Sequence, residues 1–396
     1  MLSRPSHPPL WSIFLVTASG IMANTLVSPV VPDVLDAFDR PDSDAGILIA
    51  CGPAPAILLA PFTGLLADRW GRRQVLVPSL VLFGVGGTAA ALAPTFWALV
   101  AARLVQGCGG ASLIGLSVVL ISDHWSGADR TRYIGWNSAV LTTCIAALPA
   151  VGGGLSELGS WRYAFAPYPL TLITAATMWR MLTPVERDDP TPVAEQFRAA
   201  LRGVRHPIVL ASNLYGFALF ILIFGLFLTA FPLHLEDDFG LSAGQRGLVI
   251  AVPALSATTA ALSLPRLRAR WGARRIVLFG TCVLAGAYLV VGISPTILLV
   301  LAAALAYGFA EGSMVPTMQD LVASNAPDES RAAVVSFYVS VVRAGQTIGP
   351  LLTGVALGIV GTSTVFAVGS AVLVLMALAQ VVIRIDRRTP TVAPTA

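Results

Sequence analysis

The sequence predicts an all-α integral membrane protein with twelve transmembrane helices in two six-helix pseudo-symmetric halves. Three observations predict this fold class: an apolar composition, a series of long apolar segments, and a repeat with one constant spacing. Of 396 residues, 56% are hydrophobic and only 12% are charged, and the mean hydropathy is +0.77. A soluble domain contains about 25% charged residues, so this composition argues against a water-soluble enzyme.

The apolar segments are long enough to cross a bilayer as helices, and they follow one another closely. Twelve spans are predicted, at 11–37, 44–66, 75–93, 97–122, 133–155, 162–182, 208–231, 243–264, 276–293, 296–320, 333–356 and 362–383. The first span is too long for a cleaved signal peptide and is interrupted by Asn24, Pro29, Pro32 and Asp33. We therefore expect it to remain in the protein as a helix.

Basic residues predict the orientation in the membrane. All 25 residues of the Lys+Arg count are arginines, which removes a phosphate-loop or Schiff-base lysine. With both termini cytoplasmic, twenty arginines fall on the cytoplasmic side. Arg40, Arg162 and Arg246 fall outside, and Arg103 and Arg343 remain within the membrane. The net charge of +4 thus indicates orientation in a membrane, and we expect no nucleic-acid partner. We expect a multi-pass protein of the bacterial cytoplasmic (inner) membrane.

Residues that bind metal ions are few and scattered. The four histidines do not cluster, and the four cysteines fall within spans without ligand spacing, at Cys51, Cys108, Cys144 and Cys282. Small apolar packing is the expected role of these cysteines. The sequence predicts no metal site and no cofactor.

An internal repeat relates the two halves of the chain by an offset of 201 residues. Gly46-Ile-Leu-Ile-Ala50 recurs as Gly247-Leu-Val-Ile-Ala251, and four further landmarks recur at the same offset: Trp70-Gly71 as Trp271-Gly272, Gly107 as Gly308, Pro149 as Pro350, and Gly153 as Gly354. Six spans per copy give both copies the same orientation, with substrate expected between them near the midplane. The predicted parts are a half at 1–183, a cytoplasmic linker at 184–206, a half at 207–388 and a tail at 389–396.

The loop after the second span carries the strongest motif. It reads Gly64-Leu-Leu-Ala-Asp68-Arg69-Trp-Gly71-Arg72-Arg73-Gln-Val-Leu76, and it resembles the signature loop of the major facilitator superfamily at nearly every defined position. The resemblance implies that these residues latch the inner gate in the outward-open state, with Asp123 as a possible partner of Arg72. The second copy has Ala269 where Asp68 stood, so a latch there would be weaker or different.

Two further motifs resemble the twelve-span drug:proton antiporter branch of that superfamily. Arg103-Leu-Val-Gln106-Gly107 in the fourth span resembles the R-x-x-Q-G motif of its proton-coupled exporters. Leu148-Pro149-Ala-Val-Gly152-Gly153 resembles the antiporter motif G-P-x-x-G-G with its first glycine replaced, and Gly349-Pro350-Leu-Leu-Thr353-Gly354 is a fuller form in the eleventh span. The resemblance covers essentially the whole chain and implies export by antiport.

Three charged residues are candidates for proton coupling: Asp33, Arg103 and Glu311. We expect Asp33 and Arg103 to form a pair that proton binding breaks, which is also what the resemblance implies. The alternatives are an interfacial Asp33 in the acidic first loop and a structural Arg103 that reaches outward. Glu311 lies near the middle of the tenth span, where an unpaired carboxyl group indicates a function.

Further residues are candidates for lining the substrate cavity. They are Asn24, Gln106, Asn137, Asn213, Phe217, Tyr307, Met314, Arg343 and Gln346. Flexible Met314 beside a carboxylate suits varied lipophilic or cationic substrates. Ordinary helix packing is the alternative for Tyr307, Met314 and Phe217, and Arg343 could pair with Glu311 or attract an anionic group.

These features predict a proton-coupled secondary active exporter of lipophilic or amphiphilic small molecules that works by alternating access. It would be a monomer in the lipid bilayer, with the proton gradient as driving force. A dedicated exporter or flippase for one metabolite or lipid is the alternative, and a non-transporting membrane sensor is a remote one. A nucleophile–base pair or paired catalytic carboxylates are absent from the sequence, so we predict that the chain is not an enzyme.

Overall fold

The computed structural model describes residues 8–182, 207–326 and 331–382. The predicted linker at 184–206 and the tail at 389–396 lie outside the described residues. The described elements are helical: Leu10–Thr25, Ser28–Val30, Val31–Ala37, Asp42–Asp44, Ala45–Ala50, Ala54–Trp70, Arg72–Ala91, Phe96–His124, Gly127–Ser156, Trp161–Phe165, Leu170–Met181, Pro207–Leu222, Ile223–Ala230, Phe231–Asp237, Ala243–Ala251, Pro253–Ile293, Ile297–Asn325 and Arg331–Val382.

Nine helical stretches in this part of the chain are long and apolar enough to cross a membrane. Two of them hold two predicted spans each, because Gly272 (φ 73°) and Gly361 (φ 74°) turn the chain inside Pro253–Ile293 and Arg331–Val382. Glycine adopts a positive φ without the steric clash that a Cβ atom would cause. The predicted sixth span is the shorter helix Leu170–Met181. The predicted all-α membrane fold is confirmed.

The first helix of each half is interrupted toward the same end. In the first span, a 3₁₀ turn at Ser28–Val30 separates Leu10–Thr25 from Val31–Ala37, and Pro29 lacks the N–H that would continue the helix. In the seventh span, the π-helical segment Ile223–Ala230 takes the equivalent place. After each break, the helix continues in a different direction, so the residues beyond it face other neighbours than they would in a straight helix.

The two halves meet at one end of the bundle, which we call the outer end, following the orientation predicted above. There the second span packs against the eleventh, and the fifth span packs against the eighth. Every hydrogen bond recorded between the two halves among the described residues lies at this end, and these bonds join Ser28 to Leu228, Glu157 to Gly244, and Arg246 to Pro29 and Asp33. The halves are therefore closed against each other at the outer end.

Candidate functional site

The guanidinium group of Arg103 is fully buried within the N-terminal half. It donates to Asn24 Oδ1 at 2.6 Å, to Gln106 Oε1 at 2.9 Å and to the carbonyl oxygen of Ala23 at 2.5 Å. All three acceptors are neutral groups, and they orient a charge that is costly to bury. The alternative of an Arg103 that reaches outward is wrong, because the side chain bonds to the first span inside the bundle.

The predicted pair between Asp33 and Arg103 is also wrong for this structure. Arg103 bonds to Asn24, whereas Asp33 bonds to Arg246 of the eighth span. Nine residues separate Asn24 from Asp33, which is about 13 Å along a helix, so the two lie at different depths. The break at Ser28–Val30 then directs Asp33 toward the other half.

Arg246 lies at the centre of an ion cluster that joins the halves at the outer end. It pairs with Asp33 from the first span and with Glu236 Oε1 from the seventh span at 2.9 Å. Its Nε also donates to the carbonyl oxygen of Pro29 at 2.9 Å, and its Nη1 to that of Leu241 at 3.1 Å. We call Asp33, Glu236 and Arg246 the outer latch.

Glycines of the repeat make reciprocal contacts between the halves beside the outer latch. A Cβ on Gly46 would lie 2.2 Å from the carbonyl oxygen of Pro350, and a Cβ on Gly247 would lie 2.3 Å from that of Pro149. The two contacts exchange under the offset of 201 residues. The prolines of both antiporter-like motifs thus present their carbonyl groups to the opposite half.

The remaining glycines of these motifs also pack against backbone. A Cβ on Gly152 would meet the carbonyl oxygen of Leu26 at 2.2 Å, and one on Gly153 would meet that of Ala243 at 2.1 Å. In the eleventh span, a Cβ on Gly349 would lie 2.3 Å from the carbonyl oxygen of Ile221. Small residues are required here because helix backbones touch.

Glu157, at the end of the fifth span, adds a polar contact to the outer end. Its Oε1 accepts from the backbone N–H of Gly244 at 2.8 Å. This bond and the hydroxyl group of Ser242 stabilise the charged form and lower the pKa of Glu157 below its ordinary value of 4.5. An ionised Glu157 therefore favours contact between the halves.

We expect this contact to weaken in acid. Because the pKa is lowered on folding, its stabilisation is full above about pH 4.5 and is lost as the pH falls through the lowered value. The melting temperature of Glu157→Ala should lie below that of the wild type at neutral pH. The difference should shrink as the pH falls below the ordinary value of 4.5 and through the lowered pKa, as followed by thermal unfolding in detergent. A difference that is independent of pH would contradict this assignment.

The signature loop lies at the opposite end of the bundle. Gly71 turns the chain with φ 91° between two helices, and Arg72 Nε bonds to Asp123 Oδ2 at 2.9 Å, so the suggested partner is present. Arg73 lies over the ring of Trp179 at 3.7 Å, and Arg69 is exposed. Gly64 and Asp68 both lie in the helix Ala54–Trp70. The gating role of this loop stays a prediction.

The second copy of the loop has a different ion pair. Arg268 bonds to Asp320 Oδ2 at 2.5 Å at the end of the tenth span. Asp320 therefore takes part in a contact within the C-terminal half. This pair connects the eighth and tenth spans, where the first copy connects the third and fourth.

Glu311 is half-buried in the middle of Ile297–Asn325. None of the ion pairs among the described residues includes Glu311 or Arg343, and Arg343 instead donates to Gln346 Oε1 at 3.0 Å. One turn before Glu311, Tyr307 is buried and its ring stacks on Phe227 at 4.4 Å. The Tyr307 hydroxyl group lies near Glu311 but lacks a hydrogen-bonding partner in the described part of the chain.

Several predicted cavity residues pack inside the halves instead. Met314 is fully buried in contact distance of Gly280, so the packing alternative holds for it in this conformation. Asn137 accepts from Thr17 at 2.6 Å and donates to Ser117 at 3.2 Å. These residues connect helices of one half and do not face open space.

The seventh and eleventh spans contribute the remaining candidates. Asn213 is buried and donates to the carbonyl oxygen of Val209 at 2.8 Å, while its Oδ1 has no partner among the described residues. Phe217 is half-buried. Among the predicted cavity residues, Arg343 and Phe217 are therefore partly exposed, as is the predicted proton-coupling residue Glu311.

The sequence reasoning missed Arg246 and Glu236. The charge distribution assigns Arg246 to the outer side, although the residue falls inside the predicted span at 243–264. That position was the available signal, because an arginine within a span is rarely left without a partner. Glu236 carried no comparable signal, since it is followed by two aspartates at the end of a span.

The sequence matches the pattern of the Major Facilitator Superfamily over residues 13–233 and 214–396. Together with the helical fold, this match shows that the chain belongs to the Major Facilitator Superfamily. The family and fold are those of transporters, so the chain is not an enzyme.

Relatives of similar length include two bacterial proteins. The chain is 26% identical to the tetracycline resistance protein, class B, of Escherichia coli over 357 residues, which cover 86% of each chain. It is 23% identical to the bacillibactin exporter of Bacillus subtilis (strain 168) over 360 residues, covering 86% of this chain and 87% of the relative.

Solved structures share the fold at low identity. The nucleoside transporter NupG (D323A mutant) aligns with a TM-score of 0.77 and 13% identity, covering 94% of this chain and 99% of the other. A bacterial homolog of the human lysosomal transporter Spinster aligns with a TM-score of 0.76 and 18% identity, covering 96% and 98%. The fold is thus shared with these two solved transporters.

Proposed function

We propose that the protein is a proton-coupled exporter that exchanges protons for lipophilic or amphiphilic small molecules by alternating access. The two halves rock about the site between them. In this proposal, the state in which the halves meet at the outer end is the one that gives access from the cytoplasm. Substrate would enter from that side or from the inner leaflet.

Glu311 is the observation that carries this proposal. A carboxyl group half-buried at mid-membrane without an ion-pair partner among the described residues can hold a proton or a cationic substrate, but its ionised form alone is costly there. Competition between proton and substrate for one carboxyl group is sufficient for exchange. The stacked rings of Tyr307 and Phe227 beside it offer apolar surface to a lipophilic molecule.

The remaining expectations follow from the same proposal. The protein would act as a monomer in a bacterial inner membrane with both termini in the cytoplasm. Its partners would be protons, the lipid bilayer and a small lipophilic or cationic substrate, with no cofactor and no nucleic acid. Tetracycline resistance among its relatives supports drug export.

Export of one dedicated metabolite is the second candidate. The similarity to a bacillibactin exporter, over most of both chains, supports this alternative. A non-transporting sensor has no observation in its favour. Selectivity for one compound in the assay below would favour the dedicated exporter over a multidrug exporter.

Transport in proteoliposomes with an imposed pH gradient tests the proposal. With an acidic interior, protons leave as substrate enters, and one-for-one electroneutral exchange across one pH unit gives about tenfold accumulation, equal to about 1.4 kcal/mol. A panel of lipophilic cations and neutral drugs should show accumulation that a protonophore abolishes. Uptake that only equilibrates, with or without the gradient, would overturn proton coupling.

A further inference from the structure

In the outer latch, the guanidinium group of Arg246 is buried, whereas the carboxyl groups of Asp33 and Glu236 are accessible to water. The Arg246 side chain is 1% exposed, whereas Asp33 is 36% exposed and Glu236 is 34% exposed. A cleft of about 360 Å³, lined by both acids, Glu157 and Arg246, opens at this surface. Protons from the outer solution can therefore reach the carboxyl groups while the guanidinium group stays shielded.

Two carboxyl groups from different halves share this one arginine. Asp33 belongs to the first span and Glu236 to the seventh, while Arg246 belongs to the eighth. A buried arginine that loses its carboxylate is strongly destabilised, because its charge is left without compensation. While either acid is ionised, Arg246 keeps a counterion in direct contact. When both are neutral, it keeps its hydrogen bonds to the carbonyl oxygens of Pro29 and Leu241, and the remaining carboxylate, Glu157, lies across the cleft without a direct ion pair to it.

We propose that the outer latch is a proton-operated gate, in which protonation of both Asp33 and Glu236 from the outer side releases Arg246 and opens the outer end. Arg246 is then a gating residue of the transporter. This inference rests on the proposed function, because it assigns the outer latch as the site where a proton from the outer side binds. It differs from that function in predicting a structural change that needs neither substrate nor transport.

Other charged groups around the latch are mostly acidic. Asp36 lies one turn beyond Asp33 on the same helix, and its charge acts on both Asp33 and Glu236. Glu157 from the fifth span faces Arg246 across the cleft. The charge of Asp36 also acts on Asp42 and Asp237. This acidic rim favours proton binding, because protonation reduces its mutual repulsion.

The distance between two spin labels on opposite halves measures opening. Leu92 and Ile293 occupy equivalent positions under the repeat, near the outer ends of the third and ninth spans, and both are well exposed. Labels at Leu92→Cys and Ile293→Cys, with the four native cysteines replaced, are read in lipid nanodiscs without substrate. We expect a short distance at about pH 8 and a longer one at about pH 5, with a slope between one and two protons.

Variants of the latch separate the two acids. Asp33→Asn and Glu236→Gln should each shift the midpoint of opening upward and reduce the slope to about one proton, because a single acid then holds Arg246. The double variant should be open at every pH. Asp36→Asn is the matched control on the same helix, and it should keep the slope of the parent protein and remain closed near neutral pH.

The outcomes decide between the latch and the transport proposal. A distance that does not change with pH in the parent protein, or a double variant that stays closed, would overturn the latch. Glu236→Asp keeps a carboxyl group and should retain the pH response, which guards against misfolded variants. If opening follows pH but proteoliposomes show no proton-driven exchange, the latch stands and the proposed function fails.

Discussion

A single methyl group at Gly153 should almost abolish transport. In Gly153→Ala the new Cβ would lie 2.1 Å from the carbonyl oxygen of Ala243, far inside van der Waals contact. Both groups are fixed to helix backbones of opposite halves, so the contact is relieved only by separating the halves at the outer end. We expect the outer-closed state to be depopulated and the exchange rate to fall by at least about tenfold, which requires only about 1.4 kcal/mol.

The neighbouring glycine provides a matched control. A Cβ on Gly154 would have no heavy atom within 4 Å, and this residue is exposed. Each substitution gives the same gain in helix propensity, about 1 kcal/mol, so the difference between them isolates the contact with Ala243. Transport by Gly154→Ala should stay within about twofold of the parent protein. An equal loss of transport in both variants would mean that the contact between the halves at Gly153 is not required for transport.

Replacing Glu311 by glutamine should remove proton coupling while preserving the shape of the side chain. The amide cannot bind or release a proton, so a gradient can no longer drive accumulation. In the proteoliposome assay we expect accumulation to fall to the level of vesicles without protein. A neutral substrate should still exchange with itself across the membrane, because that exchange needs no proton.

Asp320→Asn is the control for Glu311→Gln on the same helix. Asp320 pairs with Arg268 at the exposed end of the tenth span. Gradient-driven accumulation should survive this change. If Glu311→Gln also accumulates substrate normally, the proton site lies elsewhere and Glu311 serves packing or substrate binding alone.

Helices and the repeat were predictable because they follow from composition and spacing. Apolar segments of span length have few alternatives in a bilayer, since every backbone polar group must be bonded internally. The offset of 201 residues likewise predicted two similar halves, and the reciprocal contacts of Gly46 and Gly247 agree with it. The contact between Arg72 and Asp123 followed from the ends of adjacent spans.

The partners of buried side chains were harder to predict, because they depend on local breaks and on which face of a helix turns inward. Asn24, before the 3₁₀ turn at Ser28–Val30, bonds to Arg103, whereas Asp33, beyond the turn, bonds to Arg246. Periodicity put Met314 and Glu311 on one face, yet Met314 is fully buried while Glu311 is not. Helical spacing defines a face but does not say which neighbour covers it.

The reciprocal contacts of Gly46 with Pro350 and of Gly247 with Pro149 have the geometry of a two-fold symmetric dimer whose subunits have become one polypeptide. In a true dimer, one mutation would change both copies of a contact together. In a fused chain each copy varies alone, and here Ala45 occupies the place equivalent to Arg246, and His234 that equivalent to Asp33. Because the two copies can differ, the ion cluster occurs on one side of the pseudo-axis only, while both sides have the same contact between glycine and a proline carbonyl group.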